Sequence, residues 1–369
     1  MRILHFFKTA LPETMGGVEQ VIHQIARSSS DYGATSSVLS LSENPAPDAI
    51  EMGGYLAFQA KQNFQLASTG FSLSAVSMFK RLAKESDVIH YHFPWPFMDV
   101  LHFACRIDKP TVVSYHSDIV NQQSLLKFYQ PLQSRFLKSV DRIVASSPNY
   151  LQSSKVLAPL ADKIDIIPIG LDKRSFPEPT QERKEHWEKI VGQRFFLFVG
   201  VLRYYKGLHT LLDAAHNTNL PIVIVGSGPK ESELKAQAIR LGLSNVRFLG
   251  ALPDEDKVAL LALSGCVVFP SHLRSEAFGI TLLEGAMFGK PLISCEIGTG
   301  TTYINIADET GLVVPPNNSL ALRNAMTFIW ENPVVASEMG RNAELRYQRY
   351  FTSEKMVGAY VDVYRALLS

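Results

Sequence analysis

Residues Phe195–Ala215 read FFLFVGVLRYYKGLHTLLDAA, and this stretch decides the fold. Phe195–Val199 is an unbroken apolar run, the mark of a strand covered on both faces. Gly200–Gly207 then interrupts it with a glycine-bounded turn carrying Arg203 and Lys206. Leu208–Ala215 restores helical spacing. Strand, turn and helix in that order form the unit of an open parallel sheet, and such sheets hold ligands at the carboxyl ends of their strands.

The unit repeats in both directions. Downstream, Ile222–Val225, Val246–Leu249, Cys266–Phe269, Leu292–Ser294 and Gly311–Val314 read as strands. Lys230–Leu241, Asp254–Leu263 and Thr281–Phe288 are helical segments among them, and helices Ser319–Trp330 and Val334–Tyr350 follow. Upstream, Arg2–Phe7, Val38–Leu41, Val88–Tyr91, Thr111–Tyr115, Arg142–Ala145 and Ile164–Ile167 form a second series. Its helices fall near Val18–Ala26, Phe71–Lys84 and Ser124–Val140. Pro168–Arg194, with three prolines and the charged run Glu182–Glu185, is the linker candidate. A last helix near Ser353–Leu368 carries Met356, Val357, Tyr360, Val363, Tyr364 and Leu367 on its apolar side. The expected class is α/β, with two Rossmann-like halves.

Composition fits that class. The 369 residues are comfortable for two domains, and 46% are hydrophobic. A formal net charge of +1 argues against a nucleic-acid partner. The opening apolar run is broken by His5 and Lys8, too short for a signal sequence, and no run reaches the ~18 apolar residues of a membrane span. A cytoplasmic protein is expected, with peripheral membrane contact an open alternative. Cys105, Cys266 and Cys295 form no CxxC pair and read as buried free thiols.

Three glycine turns sit where phosphates bind. Met15–Glu19 (MGGVE) lies between the first strand and first helix, whose free N–H groups suit an anion. Val225–Pro229 (VGSGP) imitates a dinucleotide fingerprint but has Glu231 in place of the third glycine, so a nicotinamide cofactor is not supported. Gly285–Pro291 imitates a P-loop but has Pro291 where Ser or Thr must hold magnesium. In the third turn, Gly200–Gly207, Arg203 and Lys206 would stabilise charge growing on a departing diphosphate.

Glu276 and Glu284 in EAFGITLLE flank a helix start. Glu284 can accept from a ribose diol, and Glu276 from sugar hydroxyls. Paired carboxylates also suit hydrolysis, but that chemistry would leave the phosphate-binding turns unused. His116 follows the strand Thr111–Tyr115. His90 and His92 share one strand face; two imidazoles there lack an evident third metal ligand, and lining an acceptor site is preferred. Trp95 can stack on a sugar or fill the core.

These motifs together resemble glycosyltransferase family 4: the Gly16–Glu19 loop, IPIGLD at Ile167–Asp172, the Arg203–Gly207 turn, VGSGP and Glu-x7-Glu occur in that family's order across nearly the whole chain. The resemblance implies the GT-B fold, two Rossmann-like domains whose parallel sheets face across a cleft. Residues 1–172 would serve the acceptor and 173–351 the nucleotide-sugar donor, with the tail helix at about 352–369 crossing back to the N-terminal domain. It implies retention at the anomeric carbon, without metal or cofactor. Gly16 and Gly17 would meet the diphosphate and Arg203 and Lys206 its charges. Gly226, Phe278, Gly279, Ile280 and Glu276 would hold the donor, Glu284 its ribose, and His116 would approach the reacting carbon. One departure stands out: the family's usual arginine falls at Val201 here, two positions before Arg203.

The opening around Leu4–Ile22 and Ser294–Asn305 (SCEIGTGTTYIN) are similar to bacterial mannosyl- and rhamnosyltransferases of O-antigen and lipopolysaccharide synthesis. That likeness implies a GDP-sugar donor and a polyprenyl-linked saccharide acceptor. A UDP-sugar donor or a GT-B epimerase is the alternative. Lys80, Arg81, Lys84, Lys127, Arg135 and Lys138 would meet anionic lipid or simply form a solvated face.

Overall fold

The computed structural model describes residues 1–14, 16–66, 69–119 and 123–369, and only the backbone of 123–127. It divides into two compact units, Met1–Gly170 with Ser353–Ser369, and Leu171–Thr352.

Among the described residues, the first unit is built on ten strands: β1 Arg2–Phe6, β2 Thr35–Ser42, β3 Ile50–Glu51, β4 Tyr55–Lys61, β5 Phe64–Leu66, β6 Thr69–Phe71, β7 Val88–Phe93, β8 Thr111–Tyr115, β9 Arg142–Ala145 and β10 Ile164–Ile166. Eight form one sheet in the order β10-β9-β8-β7-β1-β2-β4-β3, and β5 pairs with β6 as a separate hairpin. The eight-stranded sheet is parallel except for β3, antiparallel to β4 at the edge. The chain winds outward from β1 through β2, then returns to place β7 on its other side. The switch point therefore lies between β1 and β7.

Strands β7 and β8 are buried at every residue, as continuous apolar runs require when helices cover both faces. The helix Gly17–Ser28 buries Val21, Ile22, Ile25 and Ala26. Met356, Val357, Tyr360, Val361 and Tyr364 of the last helix, Ser353–Leu368, join Val21, Ile25 and Val112 in one core. At ~1.5–3 kcal/mol for each buried large apolar side chain, that stripe anchors the C-terminal helix to the first unit.

The second unit holds β11 Phe196–Val199, β12 Ile222–Val225, β13 Val246–Gly250, β14 Cys266–Phe269, β15 Leu292–Cys295 and β16 Gly311–Val314. They form one sheet in the order β13-β12-β11-β14-β15-β16, and every pair is parallel. Here the order reverses between β11 and β14, so the ligand-bearing loops are those after these two strands.

Several elements depart from the sequence reading. Strand β4 lies in a region given no element, and its burial alternates instead of running apolar. Phe71 ends β6, and the helix assigned from Phe71 starts at Ser74, where the Ser72 hydroxyl accepts from the Ala75 N–H (3.0 Å). Pro96–Ala104 is an unanticipated helix started by a proline at its first position. Within the expected linker, Gln181–Val191 is a helix capped by Thr180 and fixed by buried Trp187, whose indole N–H donates to Asp256 (3.0 Å).

Candidate active site

In the second unit, the chain leaves β11 through Gly200 and makes a single turn, Tyr204–Lys206, before Gly207 opens the helix Leu208–Ala215. Gly207 is left-handed (φ 71°), and a Cβ there would lie 1.9 Å from the Pro270 carbonyl oxygen. Only glycine lets the turn after β11 press against the loop after β14. The approach brings Lys206 Nζ to Glu276 Oε2 at 2.5 Å, with 12% and 11% of the two side chains exposed. The Ser271 hydroxyl donates to the same oxygen (3.1 Å). The other, Oε1, has no partner among the described residues.

Burial is the largest influence on Lys206 and would lower its pKa. The charge and hydrogen bond of Glu276, with Tyr205, outweigh it, so the pKa is raised and the ammonium stays charged. Its Nζ also lies 4.8 Å from the centroid of the Phe269 ring. Arg203 differs: it is exposed, and its guanidinium meets no partner among the described residues. Val201 is 49% exposed beside it.

The helix Ile280–Met287 starts at Gly279 (φ 101°) and has no side-chain cap, which leaves its first-turn N–H groups for a ligand. Glu284 projects from this helix without a hydrogen-bond partner among the described residues. Burial raises its pKa to about 7, against the pull of Lys257 and Lys206. Phe278 corrects one expectation. Its side chain is only 3% exposed and sits under Gly300, where a Cβ would come within 2.4 Å of the ring. The ring packs in the core. Gly226 (φ 132°) serves packing: a Cβ would lie 2.0 Å from the Gly200 carbonyl oxygen, so the turns after β11 and β12 touch backbone to backbone.

In the first unit, Gly16 caps the helix Gly17–Ser28 without a side-chain bond; Met15 lies outside the described residues. Glu19 sits over this end, its Oε1 accepting from the Thr9 hydroxyl (2.7 Å). His116 is half-buried, and its Nε2 is hydrogen-bonded to His92 Nδ1 (3.0 Å). Burial lowers the His116 pKa to about 4, so the ring is neutral.

His90, His92 and Trp95 correct a second expectation. All three are fully buried, so none lines a surface for an acceptor. The two histidines do share a face, but the last helix covers it: the Tyr364 hydroxyl is hydrogen-bonded to His90 Nδ1 (2.7 Å), and Tyr360 to Ser114 (2.7 Å). Trp95 donates its indole N–H to the Gly70 carbonyl (3.1 Å). Sequence reading missed His5 as their neighbour. The signal was a polar residue inside an apolar strand, but only the pairing of β1 with β7 sets His5 opposite His90. One ring nitrogen from each of His5, His90 and His92 lies within 4.8 Å of the other two. A metal there would have to displace the hydrogen bonds that already occupy both nitrogens of His90 and of His92.

Comparison with known proteins agrees with this architecture. Residues 15–175 match the profile "Glycosyltransferase Family 4", and residues 179–346 match "Glycosyl transferases group 1". The chain is 61% identical to D-rhamnosyltransferase WbpZ of Pseudomonas aeruginosa over 96% of this chain and 93% of that one. It is 52% identical to O-antigen chain mannosyltransferase C of Escherichia coli, over 100% and 99%. The solved sucrose-phosphate synthase of Thermosynechococcus elongatus superposes with a TM-score of 0.84 at 21% identity, covering 100% of this chain and 99% of that one, a likeness of fold. These matches, with the two largely parallel sheets, define a glycosyltransferase of the GT-B fold. The chain belongs to glycosyltransferase family 4.

Proposed function

We propose that this glycosyltransferase moves mannose, or a deoxymannose such as rhamnose, from a GDP-sugar to a lipid-linked saccharide in lipopolysaccharide O-antigen synthesis, with retention and without metal. The observation that carries the reading is the buried Lys206–Glu276 pair at the switch point of the second unit. It keeps a cation fixed and charged for a leaving diphosphate, and leaves one carboxylate oxygen open to sugar hydroxyls. The similarity to rhamnosyl- and mannosyltransferases supports the choice of sugar.

In this reading Arg203 and Lys206 bind the diphosphate and Glu284 takes the ribose. The Gly17 amide meets the diphosphate, and His116 meets the donor sugar. The bond from the anomeric carbon to the diphosphate breaks as the acceptor oxygen bonds the same face, and the acceptor's proton passes to the departing phosphate oxygen. No protein base is required. Lys80, Arg81, Lys84, Arg135 and Lys138 are exposed and would meet anionic headgroups from the cytoplasmic side; the Lys127 side chain lies outside the described residues.

A thermal-shift panel of GDP- and UDP-sugars tests the donor. GDP-mannose or GDP-rhamnose at about 100 times Kd should stabilise the protein by ~2.7 kcal/mol, with UDP-sugars ineffective. A shift with UDP-sugars alone would overturn the donor assignment. Conversion of the donor into an epimeric nucleotide-sugar without any acceptor would point to an epimerase, and an inverted product anomer would end the retaining mechanism.

A further inference from the structure

Three histidines of the first unit form a hydrogen-bonded line. His5 on β1 reaches His92 on β7 (Nδ1 to Nε2, 3.1 Å), and His92 reaches His116, one residue past β8 (Nδ1 to Nε2, 3.0 Å). His5 and His92 are fully buried, whereas His116 is half-buried, so the line runs from the core toward the surface. His90 lies beside it but not in it, since Tyr364 and Ser114 occupy its two nitrogens (2.7 and 2.8 Å). At the inner end, His5 Nε2 is buried and without a hydrogen-bond partner. Burial keeps all these rings neutral, lowering His5 to about 3 and His116 to about 4.

A neutral imidazole carries one N–H and one bare nitrogen, so the line can point only two ways. In the first, His116 donates through Nε2 to His92, His92 donates to His5, and His5 is left with a buried N–H that meets nothing. In the second, His5 donates through Nδ1 to His92, His92 donates through Nδ1 to His116, and the loose end is a bare ring nitrogen. Orphaned buried N–H groups are rarer in folded proteins than under-satisfied acceptors. The second direction is favoured. In it, the only proton of His116 sits on Nδ1, the nitrogen not held by His92.

We propose that His5 and His92 are positioning residues that hold His116 in its Nδ1–H form, so that it offers a ligand a hydrogen-bond donor and not a base. This rests on the reading that His116 meets the donor sugar. A donor there would grip a sugar oxygen while leaving the acceptor's proton to the phosphate. The ring cannot exchange roles unless the whole line reverses and strands a buried N–H on His5, so selectivity for a ligand acceptor atom is set two residues deep in the core.

The test uses the full chain labelled with nitrogen-15 histidine, read by two-bond proton–nitrogen correlation at about pH 7.5, where a neutral ring dominates. The His116 signals are assigned by their loss in His116→Gln. The wild type should show the Nδ1–H pattern. His92→Leu, which takes the partner from His116 Nε2, should let His116 shift toward Nε2–H and lower turnover about tenfold, the worth of one neutral hydrogen bond. His92→Gln, whose amide can donate to His116, should keep the Nδ1–H pattern and hold turnover within about threefold of wild type. An Nε2–H pattern at His116 in the wild type overturns the proposal even if His92→Leu fails to fold, as does an unchanged pattern in folded His92→Leu. A tautomer that shifts while turnover stays constant would overturn instead the placing of His116 at the donor sugar.

Discussion

The two switch points of this chain are built from opposite electrostatics. Between β1 and β7 the polar groups lie inside the sheet layer, as neutral imidazoles bonded to one another and to hydroxyls. Between β11 and β14 they lie in the loops beyond the strands, as a charged pair held by a glycine turn. Buried neutral networks cost little while their N–H groups are satisfied, but they fail when a proton must be added. A buried ion pair fails when one partner is removed. The same topology thus yields one unit sensitive to acid and another sensitive to single charge substitutions.

Acid gives the largest contrast. Burial lowers the pKa of His5 to about 3 and of His116 to about 4, and holds His90 and His92 well below the usual histidine value of 6.5. The unfolded chain binds these protons near pH 6.5 and the folded chain does not. Stability is therefore fully present above pH 6.5 and is lost as pH falls toward the folded values. Each histidine contributes up to ~1.4 kcal/mol per pH unit, so the group can remove much of a domain's ~5–15 kcal/mol by about pH 5.5. Tryptophan fluorescence separates the units, because Trp95 is in the first and Trp187 and Trp330 are in the second. A variant keeping only Trp95 should report urea unfolding at a midpoint that drops steeply between about pH 7 and 5.5. Equal drops for both units would erase the contrast.

Substitution at the ion pair gives the next largest effect. Glu276→Gln keeps shape and an acceptor for Ser271 but leaves the ammonium of Lys206 buried without its counter-charge. Turnover should fall about 10²–10³-fold, as when one preorganised electrostatic contact is lost. Stability should fall by ~3 kcal/mol, the low end for breaking a buried pair. Adding Lys206→Met should recover much of the stability and none of the turnover, as read by urea melts and initial rates. A Glu276→Gln enzyme with wild-type rates would remove the pair from the site.

Much of this contrast was readable in the sequence, and the rest was hidden for physical reasons. Strands such as β11, β12 and β14 announce themselves because a sheet covered on both faces needs unbroken apolar runs. Strand β4 alternates and follows Gly53 and Gly54, so it reads as loop until β2 offers it a partner. The helix Gln181–Val191 shows no apolar stripe beyond Trp187 and Val191, and Asp256 supplies what fixes it. Lys206 and Glu276 were visible as motif residues, but their contact depends on the close approach at Gly207. The histidine line was invisible as a line: His5 and His92 are 87 residues apart, and only strand register joins them. Phe278 misled because the motif gives no sign that its side chain turns under Gly300 while Glu276, two residues earlier, pairs with Lys206.

The smallest effect sharpens the comparison from within the second unit. Glu284 has its pKa raised to about 7 by burial, the reverse of the first unit's histidines. A raised folded pKa means that the stability it confers is fully present below the unfolded carboxylate value and is lost as pH rises through about 7. Glu284→Gln should therefore stabilise the free enzyme at about pH 8 by ~1–2 kcal/mol and change it little at about pH 5. Donor binding should move the other way, because a ribose diol donates best to the ionised carboxylate. The affinity for an intact GDP-sugar, whose diphosphate does not titrate in this range, should fall about tenfold between pH 8 and 6 in the wild type. In Glu284→Gln it should stay flat and weak. Calorimetric titration at the two pH values decides the matter: a wild-type affinity independent of pH would place the ribose elsewhere and leave Glu284 as a buried acid of the helix alone.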